Sequence, residues 1–168
     1  MVLGEEFFLA DSVELAPSLV GKLLCRCIDG EVIKRRIIET ECYFGEDDTA
    51  CHAHKGRTPR TDIMYRKGGR AYVYLCYGIH SLLNITTGPE GHPEAVLIRG
   101  IEGAVGPGRL TKAMGIDRSL NKLPLTPESG IWIEDDGCRP VVSAHRRVGI
   151  DYAEAADRER LWRFVFEN

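Results

Sequence analysis

The chain has 168 residues, enough for one domain with one hydrophobic core, and no apolar run approaches the roughly 20 residues that a membrane span needs. Its 43% hydrophobic and 28% charged residues are ordinary for a soluble globular protein. The net charge of −3 argues weakly against a nucleic-acid partner, because domains that bind nucleic acids are usually basic.

Hydrophobic periodicity and turn signals predict a small set of elements. In chain order these are a helix over about 12–22, strands over 23–28, 31–43, 71–76, 82–87 and 95–101, a helix over 108–114, and short strands over 130–134 and 161–166. Asp11 can cap the first helix, while Pro17 shortens that helix or marks its start. Thr58 as a cap followed by Pro59 predicts one further short helix. The fold class is therefore α+β, a single mixed, mainly antiparallel domain over 1–168 with long loops.

The cysteines and the first residues indicate where the protein is located. Six cysteines, at positions 25, 27, 42, 51, 76 and 138, form no Cys-x-x-Cys pair, which favours free thiols over a disulfide framework. No basic stretch precedes an apolar run at the start of the chain, so we expect no secretory signal. A cytoplasmic, nucleoid-associated location, a monomer and no membrane partner are the expectations.

Basic residues are concentrated in residues 55–70, where six of them accompany the single acid Asp62. They are Lys55, Arg57, Arg60, Arg66, Lys67 and Arg70. On charge alone, this run is more typical of a solvated loop than of a nucleic-acid contact.

Three tyrosines follow the basic run directly. Tyr72 and Tyr74 share one face of the predicted strand, whereas Tyr77 has the opposite parity at the strand end. One ring can therefore stack in a pocket while another projects at a hairpin tip. Basic residues with interleaved aromatics are typical of nucleic-acid binding, with or without catalysis. For this segment alone, an ordinary aromatic strand in the core is the favoured interpretation.

The long strand over 31–43 ends in acidic residues beside an aromatic one. Because side chains alternate along a strand, Glu39, Glu41 and Tyr43 share one face. Burial beside an aromatic ring would raise the pKa of a carboxyl and make it a usable general base. A water-facing glutamate on an edge strand is an equally good interpretation of this segment alone.

A His-x-His pattern at His52 and His54 could bind a metal ion, with Cys51 as a further ligand. No second cluster with ligand spacing lies nearby, so the sequence favours a histidine that hydrogen-bonds a base or the backbone, and no metal site. A metal-dependent hydrolase using both histidines and Glu41 is the alternative.

Read together, these segments resemble the alkyladenine (3-methyladenine) DNA glycosylase family over about residues 5–166, in order and in spacing. They are ETECY at 39–43, His52, GRTPR at 56–60, YVYLCYG at 72–78, Asn84, LIR at 97–99, GPGRL at 106–110 and RVGIDY at 147–152. The resemblance implies one mixed domain with a curved antiparallel sheet and peripheral short helices. It also implies hydrolysis of the N-glycosidic bond of alkylated or deaminated purines, such as 3-methyladenine, in double-stranded DNA, without a cofactor.

The resemblance also implies roles for individual residues. Glu41 matches the general base that activates the attacking water, and Arg99 matches a residue that helps to hold this water. Tyr43, His52 and Tyr74 match the walls of the pocket for the flipped base.

Further matches concern the base and the duplex around it. Asn84 matches a pocket residue that crowds the amino group of guanine, and Val148 and Gly149 match backbone contacts near the flipped nucleotide. Tyr77 matches the residue that fills the gap left in the duplex. We assign further DNA contacts to basic side chains, namely Arg57, Arg60, Arg66, Lys67 and Arg109.

Strand cleavage by a glycosylase would need an amine nucleophile that forms a Schiff base. Val2 follows Met1, so there is no N-terminal proline, and residues 41–43 contain no lysine. The sequence therefore predicts hydrolysis only, which leaves an abasic site.

Overall fold

The computed structural model describes residues 1–167 and is dominated by strands. The strands are β1 (Leu23–Ile28), β2 (Glu31–Phe44), β3 (Ala71–Cys76), β4 (His80–Thr86), β5 (Glu94–Ile101), β6 (Ala104–Val105), β7 (Ile131–Glu134), β8 (Val141–His145) and β9 (Arg163–Glu167). The α-helices are α1 (Ser12–Leu19), α2 (Pro107–Met114) and α3 (Ala155–Arg158). Short 3-10 helices cover Glu5–Leu9, His52–Lys55, Asp62–Tyr65, Arg118–Leu120 and Pro127–Ser129.

All strand pairs are antiparallel and belong to one sheet with the order β3-β4-β5-β2-β1-β7. The long strand β2 connects the two halves of this sheet, since its first part pairs with β1 and its last part with β5. On its other edge, the last part of β2 also pairs with β9, which pairs in turn with β8. The predicted mixed α+β class with a mainly antiparallel sheet is confirmed.

Alternation along β2 separates the core from a second, polar face. Thr40 and Cys42 face α1: the Thr40 hydroxyl donates to the carbonyl of Ala16 at 2.7 Å, and Cys42 Sγ lies 3.2 Å from Ser12 Oγ. Glu41 and Tyr43, at the alternate positions, must therefore lie on the opposite face. The packing of α1 thus determines which side chains of β2 are available for a site.

The first helix is shorter than predicted. It ends at Leu19 rather than near residue 22, because Gly21 adopts a φ of +95° that leads the chain into β1. A Cβ at Gly21 would lie 2.6 Å from the Pro140 ring, so this turn requires glycine.

Other differences concern a predicted helix and a strand that the sequence did not predict. The helix expected from Thr58 and Pro59 is a turn, and a 3-10 helix begins only at Asp62, after Thr61 as its cap residue. Strand β8 was not predicted, because it pairs only with β9 and its side chains are at most partly buried. Within residues 1–167, no helix is long and apolar enough to cross a membrane.

Candidate active site

A cleft of about 1040 Å³ lies over the polar face of β2 and its neighbours β5, β4 and β3. Its walls include both residues that the sequence proposed for catalysis and all six proposed for base binding. These are Glu41, Arg99, Tyr43, His52, Tyr74, Asn84, Val148 and Gly149. Tyr72, Tyr152, Met64 and the Gly106–Arg109 turn at the start of α2 complete much of the wall.

Glu41 lies at the floor of this cleft and is 0% exposed, which excludes the water-facing interpretation. Its Oε1 accepts a hydrogen bond of 2.9 Å from the Tyr43 hydroxyl, and its Oε2 accepts one of 2.6 Å from the Val148 amide. Arg99 Nη1 lies 3.8 Å from Oε1. The carboxylate is therefore held at both oxygens and has one cation beside it.

Opposing influences act on the pKa of Glu41. Burial raises this pKa above its usual value, while Arg99, the Val148 amide and the Tyr43 hydroxyl offset part of the rise. The pKa of Tyr43 is itself raised by burial and by the neighbouring carboxylate, so its hydroxyl remains a donor. The result is a carboxyl with increased basicity that can still ionise.

Arg99 is oriented by the strand next to it. Its Nε donates to Glu39 Oε1 at 3.1 Å, and Arg163 of β9 donates to the same oxygen at 3.3 Å. Glu39 thus lies on the cleft side of β2, as its parity with Glu41 predicts. Because Glu39 holds Nε, Arg99 keeps Nη1 turned toward Glu41.

Aromatic rings form one wall of the cleft. The His52 ring lies 4.6 Å from the Tyr74 ring, and the Tyr72 and Tyr74 rings lie 5.3 Å apart. His52 Nδ1 is 3.0 Å from the Tyr72 hydroxyl, and Asn84 donates to the Tyr72 carbonyl at 3.3 Å. These contacts make a wall with flat apolar faces and few free polar atoms, which suits a planar heterocycle.

Tyr77 occupies the tip of the hairpin between β3 and β4. Its side chain is 92% exposed, and its φ of +52° is unusual for a residue other than glycine. Ile79 follows it across Gly78 and is also exposed. A large ring is therefore held out into solvent at the edge of the cleft, with nothing in the protein packed over it.

Comparisons with known proteins agree over nearly the whole chain. The methylpurine-DNA glycosylase (MPG) family matches residues 6–105 and 102–168. The chain belongs to this family.

Three relatives cover almost all of the chain. A protein of Psychrobacter cryohalolentis is 47% identical over 98% of this chain and 92% of its own length. Proteins of Natranaerobius thermophilus and Methanocella arvoryzae are each 40% identical, over 100% and 99% of this chain and 96% and 93% of their own lengths. Each of the three is named "Putative 3-methyladenine DNA glycosylase". The resemblance noted in the sequence is thereby confirmed.

Only part of the basic set expected from the sequence lines the cleft of this methylpurine-DNA glycosylase family member. Arg60 stacks over the Tyr74 ring at 4.9 Å, and Arg109 lies at the start of α2. Arg57 and Arg66 instead share Asp62, at 2.7 Å and 2.9 Å, outside the cleft wall. Lys67, also outside it, pairs with Glu5 at 3.1 Å. The single acid of the basic run thus neutralises part of that run.

The two histidines proposed as alternative metal ligands lie in different places. His54 Nδ1 lies 2.7 Å from the Glu46 carbonyl and does not line the cleft, whereas His52 does. Among residues 1–167, no group of three or more His, Cys, Asp or Glu side chains is arranged to hold a metal ion.

Sequence reasoning missed the residues that hold the loop after β8. Arg147 and Asp48 form a buried ion pair at 2.7 Å, and Tyr152 donates to the Ala50 carbonyl at 2.7 Å. Both arginine and tyrosine belong to the RVGIDY segment that was noted, but they lie outside strands, so no parity rule gives their direction. The partners lie about 100 residues away, and only the folded chain brings them together.

Proposed function

We propose that this protein is a monofunctional DNA glycosylase that flips a damaged purine out of double-stranded DNA and hydrolyses its N-glycosidic bond. Water activated by Glu41 attacks the anomeric carbon, and the products are the free base and an abasic site. The observation that carries the proposal is a fully buried Glu41 at the floor of an aromatic cleft, in a chain of the methylpurine-DNA glycosylase family.

Glu41 has the environment that a general base needs. Its raised pKa makes the ionised carboxylate a stronger base, and general-base assistance contributes about 10²–10⁴-fold to a rate. Cleavage of the bond builds positive charge on the sugar, which a carboxylate at close range also stabilises. Arg99, whose Nη1 lies 3.8 Å from the carboxylate, holds the attacking water and keeps Glu41 ionised.

The aromatic wall suits a damaged purine. Stacking on an aromatic ring contributes about 1–3 kcal/mol per base, and a cationic alkylated purine gains further from the electron-rich ring faces. The pKa of His52 is lowered to about 4 by burial and by Arg60, so the ring is neutral and does not repel such a cation. Asn84 lies beside Tyr72 and reduces the space in the cleft, so that it crowds the amino group of guanine.

Base flipping leaves a gap in the duplex, and Tyr77 fills it. An aromatic side chain inserted into a base step compensates part of the few kcal/mol that extrusion costs. Damaged bases pair and stack less well, so their extrusion costs less free energy, and this difference favours them over normal bases. Val148 and Gly149 also line the cleft, and they make backbone contacts near the flipped nucleotide.

Hydrolysis without strand cleavage is the finer part of the proposal. Residues 41–43 of β2 contain no lysine, and Lys112 lines the cleft from the exposed side of α2. A Schiff base would require a lysine amine at the anomeric carbon, where Glu41 directs water instead. The DNA strand therefore remains intact after the base has left.

Chromatography of bases released from methylated DNA tests this proposal. We expect free methylated purines, an unbroken strand, and the same rate with and without a chelator. Release that stops with chelator would support the metal-dependent alternative. Binding of lesion DNA without any released base would support a non-catalytic DNA-binding module, and strand nicks in step with base release would contradict the monofunctional assignment.

A further inference from the structure

The Arg147 guanidinium is buried next to the active site although no catalytic role accounts for it. Its side chain is 0% exposed, and it binds Asp48 with both terminal nitrogens, at 2.7 Å and 3.0 Å. The same nitrogens donate to the carbonyls of Cys42, at 3.0 Å, and of Asp157, at 3.2 Å. Even with these contacts, the buried Arg147 Nε has no hydrogen-bond partner among residues 1–167, so the energetic cost of the buried charge pair requires a reason.

The guanidinium also packs against aromatic rings. Its central carbon lies 5.1 Å from the centre of the Tyr43 ring and 5.0 Å from that of the Trp162 ring. Tyr43 is the residue whose hydroxyl donates to Glu41 Oε1. Arg147 therefore holds the ring that presents this hydroxyl.

The Arg147–Asp48 ion pair lies at a loop that few other contacts hold in place. Strand β8 ends at His145, so the loop over 146–149 has no strand partner. The amide of Val148 in this loop donates to Glu41 Oε2 at 2.6 Å, while the Val148 side chain is 48% exposed and cannot anchor the loop by burial. Arg147 is the neighbour of Val148, and its bond to Cys42 attaches the loop one residue from Glu41.

We propose that Arg147 and Asp48 are a positioning pair that holds the Val148 amide and the Tyr43 hydroxyl on Glu41. The inference rests on the proposed function, since it gives the pair the task of keeping the general base oriented and ionised. Neither residue touches the substrate; both act through Glu41.

The groups that face Glu41 determine how its pKa would change if the loop over 146–149 moved away. They are Tyr43 on β2, Arg99 on β5, and Arg147, the Val148 amide and Tyr152 beyond β8, with Glu39 behind Arg99. Burial raises the pKa of Glu41, and Arg99, the Val148 amide, Tyr43 and Arg147 lower it. Loss of the amide and hydroxyl contacts therefore moves this pKa upward and leaves less carboxylate at acidic pH.

Arg147→Lys tests the pair, because lysine keeps the charge but cannot bind both Asp48 oxygens and two carbonyls in one plane. We expect the acidic limb of the single-turnover rate of base release to move to higher pH. The rate at acidic pH then falls about tenfold, the size expected for one hydrogen bond to a charged group, and recovers above the limb. Arg139→Lys, at the exposed two-contact pair with Asp135, is the matched control and leaves the profile unchanged.

The Val148 amide gives a readout that needs no DNA. Its proton resonance in ¹⁵N-labelled protein titrates with Glu41, and in Arg147→Lys the midpoint moves to higher pH. Asp48→Asn is the second variant and shifts it in the same direction. In the wild-type protein, the Val148 amide exchanges with solvent as slowly as the amides of β2, a measurement that depends on no variant's folding.

Several outcomes overturn the inference. An unmoved limb and an unmoved Val148 titration in a folded Arg147→Lys protein would make the pair merely structural, as would fast exchange of the Val148 amide in the wild type. Failure of the proposed function is distinct, because Glu41→Gln would then release base at the wild-type rate whatever Arg147 does.

Discussion

Glu41 combines two properties that oppose each other at the scale of a single residue. Full burial disfavours its charged form, yet the proposed role as general base requires that form. The protein resolves the conflict with a few directed contacts, from Arg99, the Val148 amide and the Tyr43 hydroxyl. Burial raises the pKa of this carboxyl and so makes it more basic, while its hydrogen bonds and Arg99 allow it to ionise.

His52 gives a prediction at the same scale. Burial and the nearby Arg60 lower its pKa from 6.5 to about 4. Above pH 6.5 the ring is neutral in both the folded and the unfolded chain. Below that, the unfolded chain binds a proton that the folded chain does not, so stability is lost as the pH falls from about 6.5 toward 4.

His52→Gln should lack this share of the acid sensitivity. Thermal unfolding at pH 7 and pH 5 is the measurement, and we expect the wild-type midpoint to fall more between the two than that of the variant. If the midpoints of the wild type and the variant differ by the same amount at pH 7 and at pH 5, His52 has the same pKa in the folded protein as in the unfolded chain.

At the scale of elements, the hairpin of β3 and β4 places its tyrosines in two different environments. Tyr72 and Tyr74 face inward and build the cleft wall, while Tyr77 stands at the tip, 92% exposed. The side chain of Tyr77 contributes almost nothing to the folded core. Because exposing such a large apolar surface to water is unfavourable, its position indicates a role in binding.

Tyr77→Ala should weaken discrimination for a lesion duplex over an undamaged one by about 5–150-fold, the equivalent of one stack of roughly 1–3 kcal/mol. The thermal midpoint should stay within about a degree, because no packing is lost. Val32→Ala, an exposed apolar residue in the hairpin of β1 and β2, is the control. Competition binding measures the effect, and equal discrimination by both variants would remove Tyr77 from the account.

Strands and their parities were predictable from sequence, whereas contacts between loops were not. Because side chains alternate along a strand, the sequence predicted that Glu41 and Tyr43 share one face, and both line the cleft in the structure. The loop over 146–149 has no period, so the direction of Arg147 follows only from its partner Asp48, 99 residues away. Four basic residues of the 55–70 run were predicted to contact DNA, but the structure pairs two of them, Arg57 and Arg66, with Asp62. These ion pairs follow a turn at residues 58–61, where the sequence predicted a helix.

At the scale of the whole molecule, the net charge of −3 conceals an uneven distribution. The cleft carries Arg60, Arg99, Arg109 and Lys112. Of the charged residues that line the cleft, only Glu41 is acidic. The weak argument from net charge against DNA binding therefore does not apply to the cleft itself.

This distribution predicts a local salt dependence. Arg109→Gln should reduce the slope of log affinity for DNA against log salt concentration by about 0.9, the value for one phosphate contact. Arg36→Gln, at the ion pair with Asp136 of 2.9 Å, removes the same charge away from the cleft and should leave the slope unchanged. Equal slopes for Arg109→Gln and the wild type would place the DNA backbone elsewhere.

Single-turnover release of base by Glu41→Gln on a lesion duplex tests the central claim most directly. The account predicts that release is lost by at least about 10²-fold while affinity for the lesion duplex is retained. Glu134→Gln, the same chemical change on β7, should release base at the wild-type rate. Release by Glu41→Gln at the wild-type rate would contradict the account, because a different group would then activate the water.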